Sequence, residues 1–156
     1  MTLLEALARA PLFESFTDTG LAIFAAIARE RALGAGAPLF AEGDAAEALY
    51  IVKSGALRIL QRTPRGEREI ATLGPGEHLG QLALLAPGVH LVSAAAASPT
   101  EVVEIGRRAF FKTAQEKPQA CLKLSLLIAA DLSRRLGESR ELLKDALARG
   151  AEGRTA

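Results

Sequence analysis

The chain has 156 residues, the usual size of one domain, and its 49% apolar content with six Phe, one Tyr and no Trp supports a core built from aliphatics. Its single cysteine, Cys121, excludes an internal disulfide and any four-cysteine metal centre, and no run of about 18 uncharged apolar residues reads as a membrane span. Net charge is +1 but split: 8 basic against 12 acidic residues through Ile105, a net of −4, then 11 against 6, a net of +5.

Residues 3 to 9 and 17 to 28 have helical spacing, with Leu3, Leu4 and Leu7 in the first segment and Leu21, Phe24, Ile27 and Ala28 in the second. Thr17 suits an N-cap and Gly34 a stop, with a corner at Pro11-Leu12-Phe13 between the helices. Met1 to Ala10 carries Glu5 and Arg9 and lacks a cleavable signal pattern, so a cytoplasmic chain is expected.

From 37 to 105 the pattern changes to short apolar runs broken by glycine or proline. They are Leu39-Phe40, then 48–52, 56–60, 69–73, 91–96 and 101–105. Short, regularly spaced strands with turn signals predict a β-sandwich or barrel. The polar segment 62–68 contains Pro64 and Gly66 and is expected to be a hairpin tip with exposed arginines.

After Ile105 the helical period returns. Arg107 to Glu116 forms a short amphipathic element, and Pro118, suited to a first turn, opens a helix expected to end near Ala148. Leu122, Ala129, Leu132, Leu136, Leu143 and Ala146 follow a three-four spacing, widened by Leu126, Leu142 and Leu147. We expect the first half of this stripe to pack on the chain's own β-region and the second to form a two-fold homodimer seam, with Gly137 as a possible bend. The basic residues here alternate with Glu138, Glu141 and Asp145 at the spacing of a solvated helix face. Residues 149–156 are expected to be a disordered tail.

In order, the chain presents two helices, Glu42-Gly43-Asp44, the run from Leu49 to Gly55, Gly66, Leu73-Gly74-Pro75-Gly76-Glu77, the run from Gly80 to Leu85, Glu101 to Ile105, and two further helices. This order resembles the cyclic nucleotide-binding domain family, in its catabolite-activator-like sensor form, over about residues 10 to 147. The resemblance implies an α+β fold: N-terminal helices, an eight-stranded jelly roll (a double-stranded β-helix), a short phosphate-cassette helix at Gly80 to Leu85, and C-terminal helices. Residues 1–148 then form one domain. It also implies a ligand cradle at Leu79, Gly80, Gln81, Leu82, Ala83, His90 and Leu91, where the backbone N–H groups of the cassette face a cyclic phosphate.

Three side chains of that cradle depart from the family's pattern. The family's ribose-binding glutamate is Gln81 here, and the phosphate-pairing arginine and the hydroxyl residue after it fall at His90 and Leu91. No lysine or arginine occurs from Glu69 to Gly106, so no shift of one or two residues restores the cation. His90 is the candidate cation, neutral at pH 7 unless an anion raises its pKa, so that any residual binding is expected to strengthen on acidification. Leu91 is expected to fill the cavity. Losing one partner of a desolvated charge pair costs about 2–5 kcal/mol, enough to move a micromolar site toward millimolar.

His78, beside Glu77 in a polar turn, is read as a solvated loop residue rather than a haem ligand, and Cys121 as a packed, inert thiol. Ser93 and His90 lie three apart on a predicted strand and face opposite sides, so no nucleophile is assigned and the chain is expected not to be an enzyme. After Ala148 there is no segment long enough for a recognition-helix domain, so DNA binding is not expected. The leading expectation is a stand-alone regulatory module with a degenerate cradle, acting by dimerisation or through an unidentified protein partner, with no cofactor. The alternative is a genuine sensor that binds a cyclic nucleotide weakly, or another ligand, in the β-roll.

Overall fold

The computed structural model describes the backbone of residues 1–155 and the side chains of residues 1–151. The chain opens with helix α1 (Leu3–Arg9), a 3-10 turn (Pro11–Phe13) and helix α2 (Asp18–Ile27). Thr2 and Glu5 close a capping box on α1, and the Thr17 hydroxyl accepts from the Gly20 N–H at the start of α2, as its sequence position led us to expect. Phe13, Phe16 and Phe24 meet edge-on or tilted, with centroids 5.4–5.5 Å apart, and fix the 3-10 turn against α2.

Eight strands follow: β1 (Ala28–Leu33), β2 (Pro38–Phe40), β3 (Ala48–Ser54), β4 (Leu57–Thr63), β5 (Gly66–Leu73), β6 (His78–Leu79), β7 (Ser93–Ala96) and β8 (Thr100–Gly106). They form two four-stranded antiparallel sheets, in the orders β1-β8-β3-β6 and β2-β7-β4-β5. This is the expected α+β jelly roll. Two strands extend the sequence reading. β1 begins where α2 was expected to end and precedes the expected start of the roll at 37, and β6 is a two-residue strand paired with β3.

Strand β3 is buried on both faces. Ala48, Tyr50 and Val52 point into the roll beside Leu57, Ile59, Leu79 and Val102, while Leu49 and Ile51 point outward with Val103 and Ile105 to meet the helices. That two-sided burial explains why 48–52 reads as one uninterrupted apolar run.

Helices α3 (Arg107–Glu116) and α4 (Pro118–Thr155) complete the fold. The outer core receives Phe110 from α3 and Cys121, Leu124 and Ile128 from α4. Of the stripe read from the sequence, Leu132 packs against this core, but most of its leucines face away from the roll. Leu122, Leu126, Leu136, Leu142, Leu143 and Leu147 are all about three-fifths exposed or more. α4 runs unbroken through Gly137 and continues beyond Ala148, where an unstructured tail was expected; only Ala156 of that segment lies outside the described backbone. Among the described residues no helix is long and apolar enough to cross a membrane.

Candidate ligand site at the junction of roll, cassette and α4

β6 ends at Leu79, and the chain turns through Gly80 into a 3-10 cassette helix (Gln81–Leu84). Gly80 sits in the left-handed region at φ 76°, and a Cβ there would lie 2.5 Å from the Ala48 carbonyl oxygen and 3.3 Å from Tyr50 Cδ2. The glycine thus lets the turn press against β3. Ala83 and Leu84 are buried beneath the cassette and Leu82 faces solvent, at 51% exposure.

Gln81 is buried, and its side-chain amide donates to Asp131 Oδ2 of α4 at 3.4 Å. His78 meets the same oxygen: Nε2 lies 3.2 Å from Oδ2, and both side chains are about nine-tenths buried. This corrects the reading of His78 as a solvated loop residue. Arg134 donates to Asp131 Oδ1 at 2.7 Å and Arg135 Nε lies 3.0 Å from Oδ2, so α4 supplies two cations of its own. Burial pushes the Asp131 carboxyl up, but hydrogen bonds from Arg134 and His78, with the charge of Arg135, hold it below its ordinary value. Burial lowers the His78 pKa more than Asp131 raises it, so the ring is neutral at pH 7 and carries its proton on Nε2 to donate to the carboxylate.

On the other side of the cassette, His90 stacks on Phe40 with ring centroids 3.5 Å apart and planes 5° from parallel, and Phe40 in turn contacts Tyr50 at 5.7 Å. The backbone of His90 is fixed as well: its N–H donates to the Asp44 carbonyl, and its carbonyl accepts from the Gly43 N–H. Burial lowers its pKa, only partly offset by Asp44, so the one candidate cation of the cradle is uncharged at neutral pH. Leu91 does not fill the roll as expected. It is 72% exposed, and the aromatic stack of His90, Phe40 and Tyr50 occupies that interior. Ser93 is no nucleophile either; its hydroxyl accepts from the Glu42 N–H at 2.9 Å.

The structure thus brings Leu79, Gly80, Gln81 and Ala83 together at the cassette, places His90 in the adjoining stack, and leaves Leu82 and Leu91 outside. Sequence reasoning passed over Asp131, Arg134 and Arg135. Their i, i+3 and i, i+4 spacing was a usable signal, but the contact with His78 spans 53 positions and left none.

The family description "cyclic nucleotide-binding domain" matches residues 30–117, more than half of the chain and including every strand from β2 to β8. The chain belongs to the cyclic nucleotide-binding domain family. It is 33% identical over 123 residues to the cyclic AMP receptor protein of Thermus thermophilus, covering 78% of this chain and 57% of that one. To the CRP-like cAMP-activated global transcriptional regulator of Mycobacterium tuberculosis it is 29% identical over 153 residues, 97% of this chain and 66% of that one. The N-terminal domain of a transcriptional regulator from Streptomyces coelicolor A3(2) superposes with a TM-score of 0.76 at 29% identity, over 83% of this chain and 94% of that domain. The chain spans only part of these two longer regulators, and their likeness carries the regulatory-domain fold.

Proposed function

We propose that this chain is a regulatory module of the cyclic nucleotide-binding type whose cradle does not hold cyclic AMP or cyclic GMP tightly, and that it acts through homodimerisation along α4 or contact with a protein partner. It is not an enzyme, and it works in the cytoplasm without a cofactor. The observation that carries the reading is the lost cation. The 69–106 segment contains no lysine or arginine, and His90, which falls at the position of the family's arginine, is stacked under Phe40 with a lowered pKa. Gln81, at the ribose position, already donates to Asp131.

Helix α4 supports the second half of the reading. Leu122, Leu126, Ala129, Leu136, Leu143 and Leu147 recur at intervals of three, four or seven residues, as on one helix face, and are all solvent-exposed in the single chain. The binding reading is tested by titration calorimetry with cyclic AMP and cyclic GMP at pH 6 and pH 8, on the natural protein and on the His90→Arg, Leu91→Ser double variant. Millimolar or weaker binding by the natural protein is expected, and low-micromolar binding without pH dependence defeats the reading. A genuine sensor is the second reading, favoured by the 33% identity to a protein named for cyclic AMP reception. It predicts the micromolar result.

A further inference from the structure

The Asp131 carboxylate is surrounded by hydrogen-bond donors and cations. Arg134 reaches Oδ1 at 2.7 Å, while Oδ2 faces Arg135 Nε at 3.0 Å, His78 Nε2 at 3.2 Å and Gln81 Nε2 at 3.4 Å. Four nitrogen groups from α4, β6 and the cassette converge on one carboxylate that is only 12% exposed. A carboxylate has about four lone-pair positions; Oδ2 is crowded by three of these groups, while Oδ1 meets Arg134 alone. Two guanidinium groups with an imidazole and an amide are also the donor set that recognises carboxylates and phosphates in general.

Beside this cluster lies a cavity of about 430 Å³ between the N-terminal corner, the β5–β6 turn and α4. Asp131, Glu77, His78, Arg134 and Arg135 form its polar wall, so an anionic ligand meets the Glu77 carboxylate as well as the two guanidinium groups, and Leu12 and Leu127 are part of its apolar wall. The cavity is separate from the roll interior: neither Phe40, Tyr50 nor His90 lines it.

We propose that this junction is an oxyanion site that the chain fills with its own Asp131 carboxylate, and that a small molecule bearing a carboxylate or phosphate, seated in the adjoining cavity, takes the site by displacing Asp131. The donors around Asp131 are then the ligand's recognition set and Asp131 is an internal competitor. Because Asp131 rides on α4, its displacement removes the hydrogen bonds that tie α4 to His78 and Gln81. Ligand binding and the seating of α4 therefore oppose each other, and by linkage each weakens the other by the same factor. The cavity lies outside the roll, but the site shares Gln81 with the cradle, since the Gln81 amide donates to Asp131.

The test is chemical rescue. Asp131→Ala removes the internal anion, and the variant is melted in sodium acetate, sodium phosphate and sodium chloride at matched ionic strength. General salt stabilisation is measured on the Asp131→Ala, Arg135→Ala double variant and subtracted. We expect the single variant to melt below the natural protein and its midpoint to climb with the logarithm of acetate or phosphate concentration, as site binding requires, but not with chloride. The anion that rescues at the lower concentration distinguishes a carboxylate from a phosphate ligand. Rescue that is absent, equal in chloride, or undiminished by Arg135→Ala overturns the proposal. If Asp131→Ala does not fold, the natural protein carries the test by NMR. A saturable shift of the His78 ring signals on phosphate or acetate titration, with faster amide exchange around Asp131, supports displacement, and unmoved ring signals overturn it.

Discussion

Gly80 has two separate reasons to be glycine, and they predict different costs from those at other turns. Its φ of 76° is strained for any side chain, and an added Cβ would meet the Ala48 carbonyl oxygen at 2.5 Å, a backbone atom that cannot swing aside. Gly80→Ala is expected to cost about 2–4 kcal/mol in urea unfolding, whereas Gly43→Ala, at φ 92° with nothing within 4 Å, should cost about 1 kcal/mol. Equal costs would mean that the contact with β3 is not what demands the glycine. The two histidines make a second prediction at this scale. Burial lowers both His78 and His90, so below about pH 6.5 the unfolded chain binds protons that the folded chain resists. The stability they contribute is present above pH 6.5 and lost as pH falls through it. Thermal midpoints should therefore drop between pH 7.5 and pH 5, and the drop should shrink in the His78→Gln, His90→Gln variant. A midpoint that rises on acidification would contradict the assigned environments. The turn at Gly80 was legible because a tight turn needs a particular residue locally. The burial of His78 was not, because its partner sits on another element 53 positions away.

Elements differ in how much of their surroundings they carry in their own residues. β3 was readable because both of its faces are buried, whereas β1 exposes the four residues from Arg29 to Arg31 and Ala32 and lies at a sheet edge with only β8 as neighbour, leaving no alternation to detect. In α4 two apolar faces overlap in sequence, and periodicity alone could not say which one its own core takes. The structure gives the inner face to Cys121, Leu124 and Ile128, with Leu132 packed beside them, and leaves the other leucines of the stripe outward. Ile128, fully buried, should cost about 2–5 kcal/mol as Ile128→Ala by chemical denaturation. Leu136→Asp with Leu143→Asp, both outward at 66% and 59% exposure, should leave the monomer's far-ultraviolet circular dichroism unchanged and lower the mass seen by light scattering from dimer to monomer. A natural protein that scatters as a monomer at high concentration removes the seam.

Across the whole molecule, the jelly roll and its helices keep the architecture of a cyclic nucleotide-binding domain, and in the function proposed above the polar side chains of the cradle serve other contacts. Gln81 has turned to α4, His90 has joined an aromatic stack, and no cation remains between Glu69 and Gly106. The fold was legible in the sequence because glycines at turns and apolar runs in strands are local signals. The proposed change in the cradle shows in the sequence only as a missing charge, since the partners of Gln81 and His90 come from elements distant in the chain. The most direct measurement is calorimetric titration of the natural protein with cyclic AMP at pH 7 and physiological salt. The account predicts heats too weak to saturate below millimolar nucleotide. A saturating isotherm with a low-micromolar dissociation constant would show that the cradle holds the cyclic phosphate without its arginine, and would contradict it.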